Sequence, residues 1–149
     1  MLLVASALAN PFPAQRPADF VVEYSSGGGM SPYRIHERCD ATGCVLDTVS
    51  ANGKRIYRVG AASPANLDAC WAALVAHAPD RIESVMTAPT HDASTDTVVI
   101  SGGGAFWSFG SGSASEIAPS SQEDYRAVVA AIEALVSKSA TKKAPPPTP

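Results

Sequence analysis

Hydrophobic and polar residues alternate with a two-residue period in the first third of the chain. The segment from Tyr33 to Cys39 shows this most clearly, with Ile35 and Cys39 on one side and Arg34, His36 and Arg38 on the other. Alternation of this kind is typical of a strand with one buried face. Short apolar runs at 20–24, 45–49 and 56–59 predict three further strands.

The period lengthens to three and four residues in two later segments, and each predicts an amphipathic helix. The first begins at Ser63-Pro64 and ends at Pro79, and the second begins with a capping box, Ser120-x-x-Glu123. Apolar runs at 97–101 and 105–109 predict a hairpin between them. The pattern therefore predicts an α+β fold, in the order strands, helix, hairpin, helix. We expect an antiparallel sheet of about six strands with both helices packed on one face.

A strand-and-glycine motif occurs twice: Val-Val-Glu-Tyr-Ser-Ser-Gly-Gly-Gly at 21–29 and Val-Val-Ile-Ser-Gly-Gly-Gly at 98–104. Glycine adopts positive φ without steric cost, so each motif predicts a strand that runs into a reversal. Exposed loops that carry large apolar side chains are natural contact points for a partner. We therefore predict a partner-binding set of Gly28, Gly29, Met30, Phe106 and Trp107.

Phe106 and Trp107 are neighbours on a predicted strand, so they should point to opposite faces of the sheet. At least one of them is then not a simple core residue. The alternative to partner binding is that these aromatic side chains cover the outer sheet face or a dimer contact.

Proline-rich segments flank the predicted domain. Residues 10–19 contain three prolines and predict an extended lead-in, and the chain ends in Ala-Pro-Pro-Pro-Thr-Pro, which predicts a disordered tail. Residues 1–9 are apolar and end in the Ala7-x-Ala9 spacing of a signal-peptide cleavage site. We therefore divide the chain into a signal remnant with lead-in (1–19), one domain (20–138) and a tail (139–149). An exported protein, periplasmic or extracellular, is the corresponding localisation, with the cytoplasm as the alternative.

The chain has three cysteines, and two of them flank a turn-like sequence, Cys39-Asp-Ala-Thr-Gly-Cys44. In an antiparallel hairpin these two positions lie within disulfide reach, so we predict a Cys39–Cys44 disulfide. Two free thiols are one alternative. Metal ligation together with His36 is another, although a fourth ligand is missing and the spacing matches no standard zinc module. Cys70 falls on the apolar stripe of the first helix and predicts a buried thiol. We predict no metal and no cofactor.

Composition and motifs narrow the function classes. The formal net charge is −3, and the basic residues form only short clusters that predict solvated strand edges, so nucleic-acid binding is not expected. The apolar runs are too short to span a bilayer, and we expect no stable membrane insertion. Neither glycine motif continues into a phosphate-binding loop, and no Gly-x-Ser-x-Gly elbow is present. We therefore predict a protein that is not an enzyme.

The layout resembles the emfourin family, small bacterial inhibitors of thermolysin-type metalloproteases, and related small exported bacterial proteins. The resemblance rests on Val21-Val22-x-Tyr24 with its glycines, the Tyr33-x-Ile35 strand, the second hairpin and the closing helix, and it covers roughly 20–137. The hairpin at Cys39–Cys44 departs from that layout.

The resemblance implies an exported, non-enzymatic binding protein that inhibits a protease, and a secreted protease is the expected partner. It assigns no binding residue. The alternative hypothesis is an intracellular small-molecule-binding or enzymatic domain that uses the glycine-rich loops and His36.

Overall fold

The structure is a computed structural model, and it describes residues 10–148. The predicted signal remnant at residues 1–9 lies outside the described residues.

The described chain forms an antiparallel sheet with two helices, which confirms the α+β fold class. The strands are β1 (Val21–Gly28), β2 (Arg34–Asp40), β3 (Gly43–Val49), β4 (Arg55–Gly60), β5 (Ser84–Met86), β6 (Ser94–Gly102), β7 (Ala105–Ser111), β8 (Ser115–Ile117) and β9 (Lys142–Lys143); the helices are α1 (Pro64–Ala76) and α2 (Gln122–Ser139). The main sheet has seven strands, where about six were predicted, in the order β7-β6-β1-β2-β3-β4-β9. β5 and β8 form a separate two-stranded sheet.

The core lies between one face of the sheet, here called the inner face, and the two helices. Val22 in β1 pairs with Cys39 on one side and with Ile100 on the other, and all three side chains are buried. α2 lies over β1, β2 and β3, and α1 packs beside α2. Burying each such aliphatic side chain contributes about 1.5–3 kcal/mol, so this layer holds the fold together.

The two helices begin differently. Ser63 caps α1 as predicted, because its Oγ accepts the N–H of Asn66 at 3.2 Å. The capping box at Ser120 does not form: the chain makes a 3₁₀ turn at Pro119–Ser121, and α2 begins at Gln122. The hydroxyl of Ser121 accepts the N–H of Glu83 at 3.1 Å instead of a helical N–H. The residue that directly precedes α2 is thus Ser121 and not Ser120, and its hydroxyl makes a tertiary contact instead of capping the helix.

The proline-rich lead-in packs onto the domain. We call residues 10–19 the N-terminal strap. Phe12 stacks on Trp71 of α1 with ring centroids 4.8 Å apart, and it meets Trp107 of β7 edge-on at 4.9 Å. The indole N–H of Trp71 donates to the carbonyl of Pro13, and that of Trp107 donates to the carbonyl of Asn10, both at 3.0 Å. The folded unit thus includes residues that the sequence assigns to a lead-in.

The segment after α2 also differs from its prediction as a tail. Ser139 and Ala140 are buried, and Lys142 and Lys143 form β9 against β4. This short strand is the seventh of the sheet. We call residues 144–148 the C-terminal tail.

Candidate binding surfaces

Several loops meet at one end of the main sheet. β1 ends and β6 begins there, since Gly28 pairs with Ser94, and β3 passes to β4 there, since Val49 pairs with Arg55. The chain that follows β5 reaches the same end, where the N–H of Thr87 donates to the carbonyl of Ala114 at 3.0 Å. We call this the loop end; it comprises residues 28–33, 50–54, 86–93 and 112–114.

Glycine shapes the loop end at Gly29. Its φ of +66° lies in the left-handed region, and a Cβ added there would lie 2.5 Å from the carbonyl oxygen of Asp92. Only a residue without a side chain allows the two backbones to approach this closely. The loop that carries Met30 is therefore braced against the 87–93 loop.

Met30 and Met86 are the most exposed large apolar side chains of the described chain, at 86% and 82%. Both lie at the loop end, Met30 after the glycines and Met86 at the last position of β5. Met30 was predicted from the sequence as a partner-binding residue, and Met86 was not. No sequence pattern distinguishes Met86, because an apolar residue in a short strand is ordinarily expected to be buried.

The two predicted aromatic contacts lie elsewhere. Phe106 pairs with Ser101, seven residues along β6 from Ser94, which is about 23 Å at the rise of a strand. Its side chain is 66% exposed on the outer face, opposite the helices. Trp107 points into the core and is buried, as the alternation of faces requires. The five predicted residues therefore do not form one surface: Gly28, Gly29 and Met30 lie at the loop end, Phe106 at the opposite end and Trp107 in the core.

The outer face of the sheet carries a network of paired charges. Glu23 lies 3.3 Å from His36 and 3.5 Å from Arg38, and Arg38 also reaches Asp40 at 3.0 Å. The hydroxyl and the N–H of Thr42, with Arg38, hold the pKa of Asp40 at about 2, well below its usual range. Pairs this exposed contribute about 0–1 kcal/mol each, so the network keeps the face solvated and adds little to stability.

A cleft of about 290 Å³ lies beside the second glycine turn, between the N-terminal strap and β7. The alternative hypothesis, an intracellular small-molecule-binding or enzymatic domain, predicts a pocket beside one of the glycine-rich loops. The lining consists of backbone and of side chains that do not titrate near neutral pH: Asn10, Pro11, Pro13, Pro17, Gly102, Gly103, Gly104, Ala105 and Trp107. His36, which that hypothesis also uses, lies on the outer face beside Glu23 and does not line this cleft.

A larger cleft, of about 430 Å³, lies along β4. Four basic side chains line it, together with Ile56, Tyr57 and two residues of the C-terminal tail. The basic residues are Lys54, Arg55, Arg58 and Lys143. These basic clusters were predicted to be solvated strand edges. The position of Lys143 beside β4 was not predicted, because that residue was assigned to the tail.

Cys39 and Cys44 form a disulfide, as predicted. They lie opposite each other in the β2–β3 register with Cα atoms 4.1 Å apart. The free-thiol and metal-ligand alternatives for this pair are therefore wrong. Cys70 is free and buried, and burial raises the pKa of its thiol to about 12. Among residues 10–148 no group of three or more His, Cys, Asp or Glu side chains is placed to hold a metal ion.

Comparison with protein-family models gives no match for this chain, and comparison with curated proteins gives none either. Within the described residues, neither α1 nor α2 combines the length and the apolar character needed to cross a membrane.

Proposed function

We propose that this protein is an exported, non-enzymatic binding protein that holds a partner protein at the loop end, and that a secreted protease is that partner. One observation carries the proposal: the two most exposed large apolar side chains of residues 10–148, Met30 and Met86, lie at the same end of the molecule. Exposed apolar side chains of this kind are typical of protein–protein contacts, and methionine adapts to varied partner surfaces.

The loops that carry these side chains are held by backbone contacts. The N–H of Thr90 donates to the carbonyl of Ser113 at 2.7 Å, and Gly29 packs against Asp92. Loops already held in one conformation lose little entropy on binding, which favours tight association. Protease–inhibitor complexes use such preorganised surfaces and change little in backbone when they form.

Export agrees with the disulfide. Disulfides such as Cys39–Cys44 persist in oxidising compartments and are rare in reducing ones. The disulfide therefore supports the exported interpretation over the intracellular alternative, and it is independent of the loop-end argument.

The test is capture from native culture supernatant and periplasm by the immobilised chain, followed by mass spectrometry, and titration of a thermolysin-type metalloprotease as the enzyme probe. We expect capture of a secreted protease and loss of capture of at least tenfold in Met30→Glu and Met86→Glu, about 1.4 kcal/mol of binding free energy. Phe106→Glu is the matched control, because Phe106 is also an exposed large apolar side chain but lies about 23 Å away along the sheet.

Equal loss of capture in the Phe106→Glu control would contradict binding at the loop end. Capture that survives both methionine substitutions would do the same. A chain that captures no protease and leaves the probe enzyme fully active would overturn the protease assignment itself.

A further inference from the structure

One edge of the main sheet is only partly paired. β9 is two residues long and covers Arg58 and Val59, which leaves the first half of β4, from Arg55 to Tyr57, without a partner strand. The other edge strand, β7, is flanked near its end by β5, where the hydroxyl of Ser84 donates to the carbonyl of Gly110 at 2.9 Å. The β4 edge differs from the β7 edge in the basic side chains that line the cleft beside it.

The direction of the main-chain groups shows what this open half offers. The carbonyl of Tyr57 accepts the N–H of Ala144 at 3.2 Å, so the backbone of Tyr57 points away from β3. Directions alternate along an antiparallel strand, so the N–H and carbonyl of Arg55 point the same way. Within residues 10–148, the Ala144 bond is the only main-chain bond that reaches this half from outside β3. Arg55 and the N–H of Tyr57 are free to pair with an added strand.

The C-terminal tail runs beside this edge without closing it. Residues 145–147 are three consecutive prolines, and proline has no N–H to donate to a neighbouring strand. The cleft of about 430 Å³ separates the tail from β4 at this point. The tail thus shields the edge and leaves its main-chain groups unpaired, which is one way proteins protect an edge strand.

The charge of the cleft is one-sided. Lys54, Arg58 and Lys143 make no ion pair within residues 10–148, and no carboxylate lines the cleft. The Nε of Arg58 is buried and has no hydrogen-bond partner there. Arg55 alone is paired, with Asp47 at 2.7 Å. A buried guanidinium nitrogen without a partner is costly, and a carboxylate from a ligand would satisfy it.

We propose that the β4 edge binds an extended acidic peptide segment of a partner protein, which adds a strand to the sheet between β4 and the C-terminal tail. Main-chain hydrogen bonds to Arg55 and Tyr57 hold the segment, and Lys54, Arg58 and Lys143 select its carboxylates. This site adjoins the loop end at Lys54 but contains neither methionine, and it goes beyond the proposed function.

The test is isothermal titration calorimetry of the full chain with a capped hexapeptide, Glu-Val-Glu-Val-Glu-Val. We expect saturable binding that weakens about tenfold or more when alternate amides of the peptide are N-methylated, since the charge is unchanged but the pairing N–H groups are lost. Arg58→Met and Lys143→Met should each weaken binding about tenfold, with the aliphatic stem retained. Arg126→Met on α2, which removes an exposed cation outside this cleft, is the matched control.

Removal of residues 144–149 provides a second arm. Because the tail shields the edge, the shortened chain should bind the hexapeptide more tightly than the full chain, by roughly threefold or more. Circular dichroism and urea unfolding of each variant confirm that the fold is intact before titration.

Three results would overturn the proposal: no binding by either the full or the shortened chain, equal binding of the N-methylated peptide, or equal weakening in the Arg126→Met control. The second would show that charge alone attracts the peptide, and the third that the effect is not local. Each leaves protease capture at the loop end unaffected, so the two proposals fail separately.

Discussion

The N-terminal strap and the C-terminal tail are both rich in proline, but their structures differ. The N-terminal strap packs between α1 and β7, whereas the C-terminal tail touches β4 mainly through one backbone bond from Ala144. The difference lies in what surrounds the prolines. The strap contributes Phe12 and two carbonyls to a pair of tryptophans, and the tail contains neither an aromatic side chain nor an acidic one. Proline content alone does not decide whether such a segment folds onto its domain.

Polar contacts add to the anchoring of the strap. Arg16 pairs with Asp68 of α1 at 2.9 Å and lies over the ring of Phe20 at 4.8 Å. Asp19 accepts the N–H of Gly103 at 2.8 Å and so joins the strap to the β6–β7 turn. The strap is therefore connected to one helix and one hairpin, while the tail is connected to one strand edge.

The largest expected difference in the free energy of unfolding is between a chain shortened at the N-terminal strap and one shortened at the C-terminal tail. A chain that begins at Ala14 lacks Phe12 and leaves both indole N–H groups without their acceptors, and we expect it to lose about 4 kcal/mol in the free energy of unfolding. Removal of residues 144–149 should cost less than about 0.5 kcal/mol, because that segment buries little surface. Urea unfolding followed by circular dichroism measures both.

A chain that begins at Asn10 separates the strap from the residues before it. It retains every strap contact described above and is therefore the reference for the Ala14 variant. If the Ala14 variant proves as stable as the Asn10 variant, the strap is not part of the folded unit and the comparison fails.

The inner face of the sheet differs between its two halves, and Glu37 provides a test of that difference. Val22, Val98 and Ile100 form a buried apolar group on the β6–β1 side of this face, whereas β2 places Glu37 under α2 with only 8% of the residue exposed. Its Oε2 is buried and has no hydrogen-bond partner in the described chain. Burial, with a smaller contribution from the Glu133 carboxylate, raises the pKa of Glu37 from 4.5 to about 7.

The raised pKa of Glu37 determines how the stability of the fold changes with pH. Between pH 4.5 and about 7 the folded protein keeps the Glu37 proton and the unfolded chain releases it, so stability falls as pH rises through this window. The loss is at most about 3 kcal/mol. Glu37→Gln should remove this part of the slope, as measured by urea unfolding at several pH values. Parallel pH profiles for the two proteins would show that Glu37 titrates normally.

Loss of the disulfide should change stability less than loss of the strap or titration of Glu37. Cys39→Ala with Cys44→Ala opens a short loop in the β2–β3 hairpin, and we expect a loss of about 2 kcal/mol, since short loops restrict the unfolded chain least. Dithiothreitol should lower the stability of the natural protein by a similar amount and leave the double variant unchanged. A reducing agent that destabilises both equally would show that the effect does not come from this bond.

Local patterns were sufficient to predict both helices and six of the seven strands of the main sheet. The two-residue period placed β1 to β4, the hairpin cysteines and the opposite directions of Phe106 and Trp107, and the start of α1 followed from Ser63-Pro64. The sequence could not predict β9, because two lysines before a proline run carry no strand pattern. It also missed the docking of the strap, since the partners of Phe12 are about 60 and 95 residues away in the chain.

The candidate surfaces depend more on long-range contacts than the elements do. Residue type identified Met30 as an exposed apolar side chain, but only the register of β1 and β6 shows that Met30 and Phe106 lie at opposite ends of the sheet. The basic cleft joins Lys54 to Lys143 across nearly ninety residues. Pairing at that distance cannot be inferred from one sequence.

Both tryptophans of the chain, Trp71 and Trp107, donate their indole N–H groups to the N-terminal strap and contact Phe12. Intrinsic fluorescence therefore reports on this one region, and no other indole contributes background. Undocking of the strap would expose both rings to water and shift their emission to longer wavelength, while the helices and strands that give the far-ultraviolet signal stay in place. The protein thus carries a built-in optical probe of how firmly its N-terminal segment is held.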